Sequence, residues 1–211
     1  MDSILYSGGS QRHVSPQDWH SEIIAGGYRA IIFDCDGTLV DSSEAHFQSF
    51  RTAVRAQGHD LDRGWYAQRT GLDRKSLLAA LSQELSGALD IALATQQSID
   101  AFINAAAGVL PIDETKKLVR NLGLTHPMAV GTNAEIDVAT ASLQAVGLLD
   151  YFTTIASISD CLRPKPAPDI FAHAIQRLGF PAAMTLVFED SAEGVAAAIA
   201  AGSNVVRIVH S

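Results

Sequence analysis

RAIIFDCDGTLVDS, residues 29–42, decides how this chain folds. An apolar run, Ala30 to Phe33, stops abruptly at Asp34-Cys35-Asp36, and Gly37-Thr38 follows at once. A short continuous apolar run of this kind reads as a strand buried on both faces, ending at a sheet edge with two carboxylates. In an extended chain residues two apart project to the same side, so Asp34 and Asp36 face one site while Cys35 points away. Gly37 lets the backbone turn without a side-chain clash. Two acids held side by side repel unless a cation lies between them, which points to a hard divalent metal.

Outward from this strand the pattern changes twice. From Ser43 to about Leu122 apolar residues recur at spacings of three and four, as in Phe47, Phe50, Val54 and again Leu77, Leu78, Leu81, Leu85. That spacing predicts helix after helix and no strand, with breaks near Gly58 and Gly71. Beyond it strand and helix alternate: a strand over 127–132, a helix over 135–146 stopped by Gly147, a short strand over 152–157, a helix over 168–178, a strand over 184–189, a helix over 192–201 stopped by Gly202, and a last strand over 204–208. Regular alternation predicts an α/β fold, a Rossmann-like doubly wound parallel sheet covered on both faces. The helical block then reads as a small α-helical cap, residues 43–115, inserted into a core made of residues 28–42 and 116–211. Residues 1–27 read as a polar N-terminal extension with a short helix from Ser15-Pro16, packing on the core or mediating self-association.

Composition narrows the function. With 211 residues, 47% hydrophobic and 18% charged, the chain has the make-up of a folded soluble protein. A net charge of -8 argues against nucleic acid or an anionic membrane surface as partner, since both call for basic patches. No apolar run reaches the roughly 18 residues that span a bilayer. The first residues lack the basic start and apolar centre of a secretory signal, so a cytoplasmic protein, a monomer or weak homodimer, is expected. Cys35 and Cys161 have neither disulfide-framework nor zinc spacing. No His or Lys adjoins Cys35 in sequence to lower its pKa, so it reads as a small buried residue and not a catalytic thiol.

In an open parallel sheet ligands bind beyond the carboxyl ends of the strands. The first strand ends in Asp34 and Asp36. The second ends in Thr132, followed by Asn133 at a helix N-terminus, where free backbone N–H groups attract anions. The loop after the third carries Arg163-Pro164-Lys165-Pro166, and the fourth ends in Glu189-Asp190-Ser191. Alone, each has an ordinary reading: a solvated turn, a strand end, a surface lysine, helix-capping acids. Together on successive strand ends they suit a phosphate ester held on Mg2+. Asp34, which ends the strand, is the expected nucleophile and Asp36 the expected acid and base. Glu189 and Asp190, with Asp34 and its neighbour Asp36, are the expected metal ligands. Thr132 and Lys165 are expected to bind the remaining phosphoryl oxygens.

FDCDGT, AVGTN, RPKPAPDIF and VFEDSAEGV, placed in this order over roughly residues 28 to 208, resemble the four motifs of the haloacid dehalogenase-like phosphohydrolases. A helical insert straight after the first motif is similar to members with a small helical cap. Within them the motifs are most similar to sugar-phosphate phosphatases of the fructose 1-phosphate type, with β-phosphoglucomutases as near neighbours. The resemblance implies an aspartyl-phosphate intermediate on Asp34 and a substrate-proximal His46, for which a structural role on its helix stays open. Thr70-Gly71-Leu72-Asp73-Arg74 resembles a substrate-contacting cap loop, which implies substrate-binding roles for Gly71 and for Arg74, whose planar fork matches a second phosphate. A mutase must hold such a phosphate, yet no Lys or Arg occurs between Lys75 and Lys116, so hydrolysis is favoured over a mutase-like phosphotransfer. Asp36 and the Glu189-Asp190 pair suit phosphoryl chemistry and not dehalogenation. A catalytically silent binding protein is the non-enzyme alternative, and the intact Asp34, Asp36, Lys165 and Asp190 speak against it. One departure from the resemblance is that Val109-Leu110-Pro111-Ile112-Asp113 lacks a glycine after its proline.

Overall fold

The computed structural model describes residues 1–160 and 162–210, so Cys161 lies outside the described residues. The chain starts with a hairpin, β1 (Asp2–Ser7) and β2 (Ser10–His13), that turns through Gly8 and Gly9 at positive φ. A 3-10 turn over Pro16–Asp18 leads into α1 (Trp19–Ala25) and then β3 (Ala30–Phe33), the strand read first from the sequence. After β4 (Val40–Asp41) come four helices, α2 (Ser43–Ala56), α3 (Arg63–Ala67), α4 (Arg74–Glu84) and α5 (Ile91–Ala105). The chain returns through β5 (Leu110–Pro111), which pairs antiparallel with β4. Then follow α6 (Asp113–Leu122), β6 (Met128–Gly131), α7 (Ile136–Ala145), β7 (Thr154–Ala156), α8 (Asp169–Leu178), β8 (Thr185–Glu189), α9 (Ala192–Ala200) and β9 (Asn204–Val209).

Seven strands form one sheet in the order β2-β1-β9-β8-β3-β6-β7. From β9 to β7 the strands are parallel, with β3 between β8 and β6. The chain thus leaves β3 toward one edge and later returns to its other side. Such a reversal opens a crevice at the carboxyl end of β3. Period-two alternation sorts the strands onto two cores. Ile31, Phe33, Val130, Phe188 and Val206 face Trp19, Ile23, Leu118 and Leu143. Ala30, Ile32, Ala129, Val187 and Val205 face Phe171, Ala174, Ala197 and Ala198. The expected α/β doubly wound architecture is present, with helices on both sides.

Two parts of the sequence reading are corrected. Residues 1–27 pack on the core, one of the two roles expected for them, but they do so as strands: β1 pairs antiparallel with β9 and extends the sheet, so the sheet is not wholly parallel. The inward positions of β1 are Ser3 and Leu5, both buried. Ser3 is tolerated there because its hydroxyl donates to the Val14 carbonyl (2.5 Å) and accepts from Trp19 Nε1 (2.8 Å). A polar residue on the core face hid the alternation. The second correction is β5, inside the region read as free of strands. The hinge ribbon it forms with β4 is too short to show a period, and it is tied to the core where Thr115 Oγ1 donates to the Thr38 carbonyl (2.6 Å, buried).

Helices α2 to α4 and the loops around them bury a cluster of their own, with Phe47, Phe50, Val54, Tyr66, Leu77, Leu78 and Leu81. These are the residues whose spacing predicted helices, and Gly58 and Gly71 fall in the connections between them. Among the described residues no helix is long and apolar enough to cross a membrane.

Candidate active site

At the end of β3 the Asp34 N–H still donates to the Phe188 carbonyl (2.9 Å), which locks the start of the loop to β8. The Cys35 side chain then turns into the core, fully buried, and burial pushes its thiol well up from the ordinary value, so it is inert packing. The loop closes with Gly37 N–H on the Val40 carbonyl (2.8 Å) and Leu39 N–H on the Cys35 carbonyl (2.8 Å). Gly37 sits at φ +84°, and a Cβ there would collide with the Asp190 carboxylate. The first and last of the quoted motifs therefore meet at a glycine.

Four strand ends converge as the residue pattern predicted. Asp34, Glu189 and Asp190 each offer an oxygen within 4.8 Å of the others. Lys165 Nζ donates to Asp34 Oδ1 (2.5 Å) and to Glu189 Oε2 (2.6 Å), and all three side chains are buried. Burial alone would lower the Lys165 pKa, but the two carboxylates outweigh it and hold the ammonium above its ordinary range. Burial and then repulsion from Glu189 drive Asp34 well up, and the same causes push Asp190 up to about 6. Three carboxylates on one ammonium leave excess negative charge. Oxygen donors with unrelieved repulsion are the environment that fits a hard divalent cation such as Mg2+.

Glu189 is held more rigidly than its neighbours. Its Oε1 accepts from the Asp190 and Ser191 N–H groups (3.2 and 3.1 Å) and from Ser191 Oγ (2.8 Å). A Cβ on Gly194 would clash with its carboxyl group, so α9 starts with a residue that yields space to Glu189. Thr132, at the end of β6, is buried and its Oγ1 accepts from the Ala134 N–H (3.0 Å). Asn133 Oδ1 accepts from the Lys165 N–H (2.8 Å) and so positions the lysine loop. It is not at the first turn of α7, which begins at Ile136 with Glu135 as its cap.

Asp36, expected among the metal ligands, stands outside the group of three. Its Oδ1 accepts from Ser42 Oγ (2.5 Å) and lies 3.1 Å from His46 Nε2. Burial would raise its pKa, but His46 and Ser42 outweigh it and hold it low. The His46 ring also packs on Phe102, with centroids 4.4 Å apart. Arg74, expected to grip a phosphate, is itself gripped. Its Nε donates to Glu135 Oε2 (2.9 Å), its Nη1 to Ser98 Oγ (3.0 Å), and its guanidinium lies 4.7 Å from the Phe50 ring centroid. Ser42, Ser191, Gly194 and Glu135 are the residues that sequence reasoning passed over. The reach of a serine and a missing Cβ leave no periodic mark, although Ser42 precedes His46 by the four residues of one helical turn.

A cavity of about 540 Å³ opens above these residues. Its floor is Asp34, Asp36, Thr132, Asn133, Lys165, Glu189 and Asp190; its roof comes from the inserted helices, including His46, Phe50, Tyr66, Gly71 and Arg74. Gly71 faces Glu193 of α9, which a Cβ would approach to 3.9 Å, so the connection before α4 meets the sheet side there.

The chain is similar to known proteins over most of its length. The family described as haloacid dehalogenase-like hydrolase matches residues 28–202. Protein CbbY of Rhodobacter capsulatus is 35% identical over 196 residues, covering 84% of each chain. The fructose-1-phosphate phosphatase YqaB of Escherichia coli is 29% identical over 184 residues, covering 86% of this chain and 96% of its own. The crystal structure of CbbY from Rhodobacter sphaeroides in complex with phosphate superposes with a TM-score of 0.78 at 26% identity, covering 84% of both chains. A mutant of that protein has also been crystallised with xylulose-(1,5)bisphosphate.

Proposed function

The chain belongs to the haloacid dehalogenase-like hydrolase family, and from that premise we propose that it is a Mg2+-dependent phosphatase of a small sugar-phosphate-like metabolite, working through an aspartyl-phosphate (acyl phosphate) on Asp34. The observation that carries this reading is the meeting of Asp34, Asp36, Thr132, Lys165, Glu189 and Asp190 on the floor of one cavity.

In the proposed reaction an Asp34 carboxylate oxygen attacks phosphorus, the P–O bond to the substrate breaks, and the departing oxygen takes a proton through Asp36, which draws it from protonated His46 3.1 Å away. Asp36 then takes a proton from the water that attacks the phosphoryl group on Asp34 and returns it to His46, which releases inorganic phosphate and restores the starting protonation. Ser42 and His46 orient the Asp36 carboxyl for both transfers. Lys165, 2.5 Å from Asp34, and the Thr132 hydroxyl lie where charge spreads over the phosphoryl oxygens. Asp34, Glu189 and Asp190 would hold Mg2+, which when bound offsets the repulsion between a carboxylate nucleophile and an anionic ester. The inserted helices roof the cavity and limit access of bulk water to the acyl phosphate on Asp34.

The test is phosphate release from a panel of sugar phosphates with Mg2+ and with chelator. Wild-type protein is expected to act only with the metal, and Asp34→Asn to lose at least about 10³-fold in kcat. Undiminished turnover by Asp34→Asn would overturn the covalent route.

A further inference from the structure

We propose that Glu135 sets the substrate class of this site: by occupying Arg74 it closes a place for a second phosphate, so the enzyme takes monophosphates with an uncharged, hydroxyl-bearing far end and discriminates against bisphosphates. This rests on the phosphatase reading above.

A phosphate at the far end of a substrate needs a cation or free N–H groups to meet it. Among the described residues lining the cavity the fixed cations are Lys165 and Arg74. Lys165 belongs to the reacting end, locked between Asp34 and Glu189. Arg74 is the cation of the roof, and its side chain is 3% exposed. The Glu135 carboxylate lies 2.9 Å from its Nε, Ser98 takes Nη1, and Phe50 covers a face. Glu135 also sits at the cap of α7, the place where a helix start would otherwise draw an anion. Arg74 is thus taken by a carboxylate of the chain itself, and at the start of α7 the Ile136 N–H already donates to Ser159 Oγ (3.0 Å).

The surroundings reinforce the exclusion. Glu193 and Asp41 line the same cavity, so a distal phosphate would meet carboxylates where it needs donors. Displacing Glu135 would leave its buried partner charge to be re-paired, and sharing one guanidinium between two anions costs like-charge repulsion. A sugar hydroxyl makes neither demand. It can accept from the guanidinium and donate to a carboxylate at once.

Phosphate release is measured from fructose 1-phosphate and fructose 1,6-bisphosphate with wild-type, Glu135→Gln and Arg74→Gln/Glu135→Gln proteins. For wild type the bisphosphate-to-monophosphate ratio of kcat/KM is expected well below one, and a ratio of one or more overturns the proposal. Glu135→Gln keeps the shape and removes the charge, and should raise the ratio about tenfold, the effect of one freed charge–phosphate contact. Adding Arg74→Gln should cancel that gain; a gain that persists without Arg74 also overturns it. If wild type releases phosphate from no ester, the phosphatase reading fails separately. Calorimetric titration of Asp34→Asn protein, with and without Glu135→Gln, by the same two compounds then decides the distal site, with the same ratio expected to rise in binding constants and an unchanged ratio overturning it.

Discussion

A missing methyl group matters as much here as a carboxylate. Glu189 reaches its position because Gly194 leaves room, so Gly194→Ala forces the Glu189 carboxyl, its Lys165 contact, or the start of α9 to move. We expect a stability loss of about 1–3 kcal/mol in urea unfolding, as for overpacked sites, together with weakened Mg2+ dependence of turnover. A normal midpoint with normal activity would show that Glu189 can shift without consequence. His46 offers a second test at this scale. The ring bridges Phe102 and the Asp36 carboxylate, so His46→Ala should lower kcat by about 10- to 100-fold with little change in KM if it orients the acid. An effect confined to thermal stability would reduce His46 to a packing residue. The acids were legible in the sequence because they stand where the apolar run of a strand stops, and the lysine because its Pro-flanked loop follows the next strand in the alternation. Gly194, Ser42 and Glu135 were not, since their roles depend on which side chain approaches them from another element.

Among elements, the strongly periodic ones were readable and the marginal ones were not. β3, β6 and β8 are continuous apolar runs, and α2 and α4 show their buried faces at spacings of three and four. The first hairpin escaped notice because Ser3 occupies a core position, satisfied only by groups sixteen and eleven residues away. That makes Ser3 the test of whether the hairpin belongs to the folded core. Ser3→Ala strands the Trp19 indole N–H and the Val14 carbonyl without partners in a buried place, and should cost about 1–3 kcal/mol. Trp19 also packs edge-on against Phe188 of β8, with centroids 5.1 Å apart, so a loosened indole is felt one residue from Glu189. Fluorescence-monitored unfolding measures the loss. A Ser3→Ala protein as stable as wild type would show that β1 docks through its backbone pairing with β9 alone.

For the whole molecule the consequence of gathering acids under a roof is a stability that depends on metal and pH together. The pKa of Asp190 is pushed from 3.8 to about 6 and that of Asp34 is raised in the same direction. A raised carboxyl pKa means that the fold binds more protons than the unfolded chain between the two values, so this contribution falls as pH rises through that window. The exposed ion pairs run the other way: Arg51 and Arg55 hold Asp60 low, and Arg163 holds Asp169 low. Their effect is lost only as pH falls below the ordinary carboxylate range, outside the interval in which Asp190 titrates. Between about pH 4.5 and 6.5 the buried cluster therefore destabilises metal-free protein as pH rises, while Mg2+ binds best where the acids are ionised. Mg2+ at a hundred times its dissociation constant stabilises by about 2.7 kcal/mol. Melting temperatures in chelator and in Mg2+ at the two pH values check this. The Mg2+-induced rise should be larger at the higher pH and should disappear in Asp190→Asn protein. An equal rise at both pH values would mean that the cation binds elsewhere than at the end of β3.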